Sequence, residues 1–147
     1  MDNTRFTPFV LTIERVSKNI KRIADKEMEQ YGLRSSHVMC MLQLSKTENG
    51  LSSSSLADAC GVDKAFISRI TNELLEKGFI EKENNSQKKY KTNFILTEKG
   101  KEVNHKMTEI VSNYVHLVNQ NVSQKDIQIF YEVLNEFDSE ISKIVND

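Results

Sequence analysis

LSSSSLADACGVDKAFISRITNELLEKGFIEKENNSQKKYKTNFILTEKG, residues 51–100, is the stretch on which the fold turns. From Ser52 it reads as a helix, a turn, a second helix and a two-stranded hairpin. Ser52 precedes the apolar-periodic run Leu56, Ala57, Cys60 and is placed to cap it, and Gly61 offers the left-handed residue that ends such a helix. Asp63 supplies a second cap. Phe66, Ile67, Ile70, Leu74 and Leu75 then recur at three- and four-residue spacing until Gly78. Two helices separated by a tight turn containing glycine form the sequence pattern of a helix-turn-helix.

When the second helix buries that stripe, its other face carries Lys64, Ala65, Ser68, Arg69 and Asn72. Arginine can bridge guanine edges or grip a phosphate, asparagine can pair with adenine, and serine can donate to either. Taken alone this is an ordinary solvated helix face. The segment that follows changes the weighing. Phe79-Ile80 and Phe94-Ile95-Leu96 are strand-like, Asn84-Asn85-Ser86 forms a turn cluster, and Lys88, Lys89 and Lys91 follow with no acid between Asn84 and Leu96. A cationic hairpin beside a helix pair is suited to duplex DNA, the helix entering the major groove and the lysines lying along phosphates. Net charge is only −1 over 147 residues, so the case rests on where charge is placed, not on its total.

These residues bring the chain close to a known family. It resembles the MarR-family winged helix-turn-helix transcriptional regulators essentially end to end, most strongly over LADACGVDKAFISRITNELLEKGFIEKE, the wing and LTEKG. The resemblance implies a mainly α fold with a small β-hairpin wing. It also implies a homodimer whose N- and C-terminal helices intertwine, and a palindromic operator read by two winged lobes. Ser68-Arg69 sits where the family tends to have Thr-Arg. The wing departs from the family, which usually carries an Asp followed by Arg where this chain has Lys88-Lys89-Tyr90, and lysine lacks the planar fork of arginine. The expected DNA-binding set is Ser52, Ser53, Ser54, Lys64, Ala65, Ser68, Arg69, Asn72, Lys88, Lys89 and Lys91. The resemblance further implies repression by occupancy and a small aromatic effector, for which Phe9, Ile13, His37, Met41 and Met107 would form the pocket. The same five residues make equally good core.

Outward from this centre, Phe6, Phe9, Val10, Ile13, Val16, Ile20, Ile23, Ala24 and Met28 form a helical stripe that ends near Gly32, with Pro8 marking its start. Thr97 is a cap candidate for a long helix through Val103, Met107 and Tyr114. Ser123 with Asp126 has the look of a capping box opening the last helix, striped by Ile127, Phe130, Leu134, Phe137, Ile141 and Ile144. The expected organisation is therefore one domain over 1–147, with a DNA-binding lobe at 34–100 and a helical dimerisation region at 5–32 and 101–146. Acids outnumber bases from Lys101 onward, as suits a region held away from phosphate.

Other function classes find little support. Gly-rich phosphate loops, nucleophile elbows and HExxH are lacking, so no enzymatic activity and no cofactor are expected. His37, His105 and His116 have no metal-ligand spacing, and Cys40 and Cys60 fall on the buried sides of helices, where cysteine is a small apolar residue more often than a redox switch. The absence of a long apolar run and of a signal-like start leads to an expected cytoplasmic location. The competing class is a winged-helix module for protein contact, its lysines meeting an acidic partner.

Overall fold

The computed structural model describes residues 3–83 and 92–146. Among the described residues, six helices and three short strands follow in the order α1 (Asn3–Met28), α2 (Ser35–Leu44), β1 (Leu51–Ser52), α3 (Ser53–Cys60), α4 (Lys64–Glu76), β2 (Ile80–Glu83), β3 (Asn93–Leu96), α5 (Glu98–Asn119) and α6 (Gln124–Asn146), with a 3₁₀ turn, Glu29–Tyr31, after α1. The chain divides into two units, Met1–Met107 and Thr108–Asp147.

The first unit holds the core. Leu56 and Ala57 of α3, Ile67, Ile70 and Leu74 of α4, and Cys40, Met41 and Leu44 of α2 are all buried, joined by Phe79, Phe94 and Val103. The helix ends fall where their capping residues lie. Ser52 accepts the amide of Ser55 at 3.2 Å and Asp63 accepts that of Phe66 at 2.7 Å, each meeting one of the orphan donors of a first turn. Gly61 and Gly78 take up left-handed φ of 64° and 73°, which releases the chain from α3 and α4.

The sheet differs from the expected two-stranded hairpin. It has three antiparallel strands in the order β1-β3-β2, pairing Leu51 with Phe94 on one side and Ile80 with Leu96 on the other. A two-residue strand has no periodicity to read, so β1 leaves no pattern. Its signature is Gly50, at φ 67°, where an added Cβ would stand 2.2 Å from the Phe94 carbonyl oxygen. Helix α1 also begins earlier than expected, at Asn3, and runs through Pro8. A proline there forgoes one hydrogen bond close to a helix end, a small loss.

In the second unit, Ser123 caps α6 by accepting the amide of Asp126 at 3.1 Å, while the Asp126 carboxylate accepts the Ser123 hydroxyl at 2.6 Å. No described residue of this unit is buried.

Candidate nucleic-acid interface

Helix α4 splits cleanly into two faces. Ile67, Ile70, Thr71 and Leu74 are buried, and Lys64, Ala65, Ser68, Arg69 and Asn72 are all exposed on the other side. Thr71 is tolerated inside because its hydroxyl donates to the Ile67 carbonyl at 2.9 Å. The five polar-face residues expected from the sequence therefore share one accessible surface.

Both ends of α4 are fastened. Asp63 holds the start. At the end, the Lys99 ammonium donates to the Lys77 carbonyl at 2.7 Å and lies 4.3 Å over the Phe79 ring. The Thr97 hydroxyl donates to the Gly78 carbonyl at 2.7 Å and accepts the Gly100 amide at 3.1 Å, so one side chain both caps α5 and ties it to the end of α4. Gly100 is buried against the Phe79 carbonyl, which an added Cβ would meet at 2.0 Å. The LTEKG sequence is thus a structural fastening for the helix before it.

Arg69 is held in place on the outer face. Its guanidinium lies 5.1 Å from the centre of the Phe66 ring and 3.6 Å from a Glu73 carboxylate oxygen. Glu73 also accepts from the His37 ring nitrogen Nε2 at 2.8 Å and has Arg34 at 3.8 Å. The other ring nitrogen, Nδ1, accepts the Arg34 backbone amide at 2.9 Å. With Nδ1 an acceptor, the proton sits on Nε2 and the ring is neutral. Burial pushes the His37 pKa below its ordinary value, outweighing the nearby carboxylate. The hydrogen bond from His37 in turn holds the Glu73 carboxyl below the usual range. Sequence reading placed His37 in an effector pocket and did not single out Glu73; the signal available was the four-residue spacing of Arg69 and Glu73 on one helix face.

Among the other expected contacts, Ser53 and Ser54 are exposed on the first turn of α3, whereas the half-buried Ser52 has its hydroxyl engaged in capping that turn. Lys88, Lys89 and Lys91 lie outside the described residues. The five expected pocket residues differ in burial. His37, Met41 and Met107 are core, Phe9 is half-buried on α1, and Ile13 is exposed. A shallow cleft of about 540 Å³ runs along α1 and includes Ile13 with Ser17, Lys18, Lys21 and Arg22. Burial pushes the Cys40 thiol up to about 12 and raises that of the half-buried Cys60, the opposite of what a reactive thiolate needs. Among the described residues no His, Cys, Asp or Glu cluster suited to a metal is found, and no helix is long and apolar enough to cross a membrane.

A helix pair with a fastened, outward-facing second helix and an antiparallel sheet beside it defines a winged helix-turn-helix. The MarR family model matches residues 33–89 of the chain. Solved structures agree over nearly the whole length. A MarR/EmrR family transcriptional regulator from Acinetobacter sp. ADP1 superimposes with a TM-score of 0.84 at 19% identity, covering 97% of this chain and 99% of that one. A MarR protein from Peptoclostridium difficile gives 0.86 at 17% identity, with 97% and 93% covered. The MepR–DNA complex from S. aureus gives 0.82 at 19% identity, with 90% and 97% covered. At such identities the likeness is one of fold. No curated protein matches the sequence.

Proposed function

We propose that the chain is a sequence-specific, double-stranded DNA-binding transcriptional regulator that works as a homodimer. The observation that carries this is the face of α4, where Lys64, Ser68, Arg69 and Asn72 stand exposed together while Ile67, Ile70 and Leu74 anchor the helix from behind. Arg69 and Asn72 read base edges in the major groove, Lys64 and the first turn of α3 at Ser53 and Ser54 hold phosphates, and the wing lysines Lys88, Lys89 and Lys91 add salt-dependent grip. That a similarly folded protein, MepR, has been solved as a DNA complex supports the reading.

Dimerisation is supported by apolar residues left open on three helices, such as Phe6 (52% exposed) and Ile20 (61%) on α1, Val118 (73%) on α5 and Ile144 (76%) on α6. Patches of this kind on a water-soluble chain mark interaction surfaces. A two-fold dimer presents two α4 helices to the halves of a palindromic operator, and occupancy of a promoter represses it. Response to a small aromatic effector and a cytoplasmic, non-enzymatic role complete the reading.

The test is a titration of the purified protein against duplexes recovered from a genomic fragment pool. Affinity for the best duplex should fall steeply as salt rises, and Arg69→Ala should abolish preference for it while leaving the oligomeric state unchanged. Retained preference in Arg69→Ala removes α4 from the role of reading helix.

A further inference from the structure

The Arg69 guanidinium is unusually well fixed for a side chain that is 54% exposed. Three residues before it on α4 lies the Phe66 ring, and four after it the Glu73 carboxylate, at 5.1 and 3.6 Å. An exposed i,i+4 pair ordinarily does little, because both side chains wander. Here one end cannot. Glu73 is bonded to His37, whose side chain is only 1% exposed and whose second nitrogen is bound by the Arg34 backbone at the start of α2. The carboxylate that meets Arg69 is therefore anchored in the core.

We propose that Glu73 is a specificity-determining positioning residue: anchored through His37, it holds Arg69 in the pose that reads a base and penalises duplexes that offer only phosphate. This rests on the DNA-reading role of α4. Bidentate recognition of guanine requires the planar fork to arrive in one orientation, and a guanidinium already oriented loses little freedom on binding. A carboxylate on the same face also repels phosphate, which weakens sequence-independent binding. On a base-matched site the contact made by Arg69 offsets that repulsion, and elsewhere nothing does. That repulsion acts on every duplex alike, so the ratio itself is widened through the pose of Arg69.

The experiment uses the full-length protein, the tightest duplex from the genomic pool and a scrambled duplex of equal length, with affinities read by fluorescence anisotropy. Glu73→Gln keeps an oxygen for His37 and removes the charge. It should lower the ratio of matched to scrambled affinity about tenfold and leave binding to the scrambled duplex equal or tighter. Glu76→Gln, exposed on the same helix, removes an equal charge and should leave the ratio unchanged. In an Arg69→Ala background Glu73→Gln should no longer alter the ratio, because its effect passes through that arginine. Glu73→Asp, which keeps the charge but withdraws it from Arg69, should reproduce the loss and serves if the glutamine variant does not fold. A wild-type ratio in Glu73→Gln, or an equal drop with and without Arg69, overturns the proposal and leaves the reading of α4 standing. Undiminished preference in Arg69→Ala alone overturns that reading, and this inference with it.

Discussion

Helices α4 and α6 are amphipathic in the same way, yet Ile67, Ile70 and Leu74 of α4 are 0–1% exposed while Phe130, Ile141 and Ile144 of α6 remain 55%, 47% and 76% exposed. The first stripe is covered by α2, α3 and the sheet of its own unit. The second belongs to a unit in which no described residue is buried. Helical periodicity thus reports an apolar seam, not what covers it. Between the two stands α5, whose Val103 and Met107 are buried and whose Val111, Val115 and Val118 are not.

The largest expected effects test this contrast directly. Leu74→Ala empties a sealed site and should cost about 3 kcal/mol, seen as a fall in Tm that is the same at every protein concentration. Phe130→Glu with Ile141→Glu should instead turn a dimer into a monomer in sedimentation, with loss of the concentration dependence of Tm. A wild-type protein that is monomeric at micromolar concentration would break the comparison, since the α6 seam would then have no partner.

Gly100→Ala comes next, at about 2 kcal/mol, because its Cβ would stand 2.0 Å from the Phe79 carbonyl oxygen, a backbone atom that cannot swing aside. Denaturant melts should show the loss, whereas alanine at Gly61, where the left-handed φ is strained but nothing lies within 4 Å, should cost less. Equal losses at the two would mean that conformation rather than close approach sets the demand for glycine.

The smallest effect concerns pH. His37 and Glu73 both have folded-state pKa values lowered from their ordinary ones, so the native state binds fewer protons than the unfolded chain. Their contribution is complete above the ordinary histidine value of 6.5 and is lost as pH falls through the lowered folded values, His37 first. Tm should therefore drop as pH falls below about 6.5, and His37→Gln, which can still donate to Glu73, should flatten that drop. An unchanged slope would show that other groups govern it.

Much of the lobe was legible because local chemistry marked it. Ser52, Asp63, Gly61, Gly78 and Thr97 each announce an element boundary through a side chain or a φ angle that acts within a few residues. The polar face of α4 followed from the apolar one. What escaped was non-local. Strand β1 is defined by pairing with β3 more than forty positions away, and His37 meets Glu73 across a sequence separation of 36. A buried histidine reads equally as core, as pocket or as hydrogen-bonding partner until its partner is seen. The wing was read as a lysine cluster, and Lys88, Lys89 and Lys91 fall outside the described residues.

The double role of Thr97 has a mechanical consequence. One hydroxyl bonded to both Gly78 and Gly100, with the Lys99 clamp beside it, welds the trailing end of α4 to the leading turn of α5. A twist of that turn would reach the trailing end of α4 through the Thr97–Gly78 and Lys99–Lys77 bonds, each 2.7 Å long.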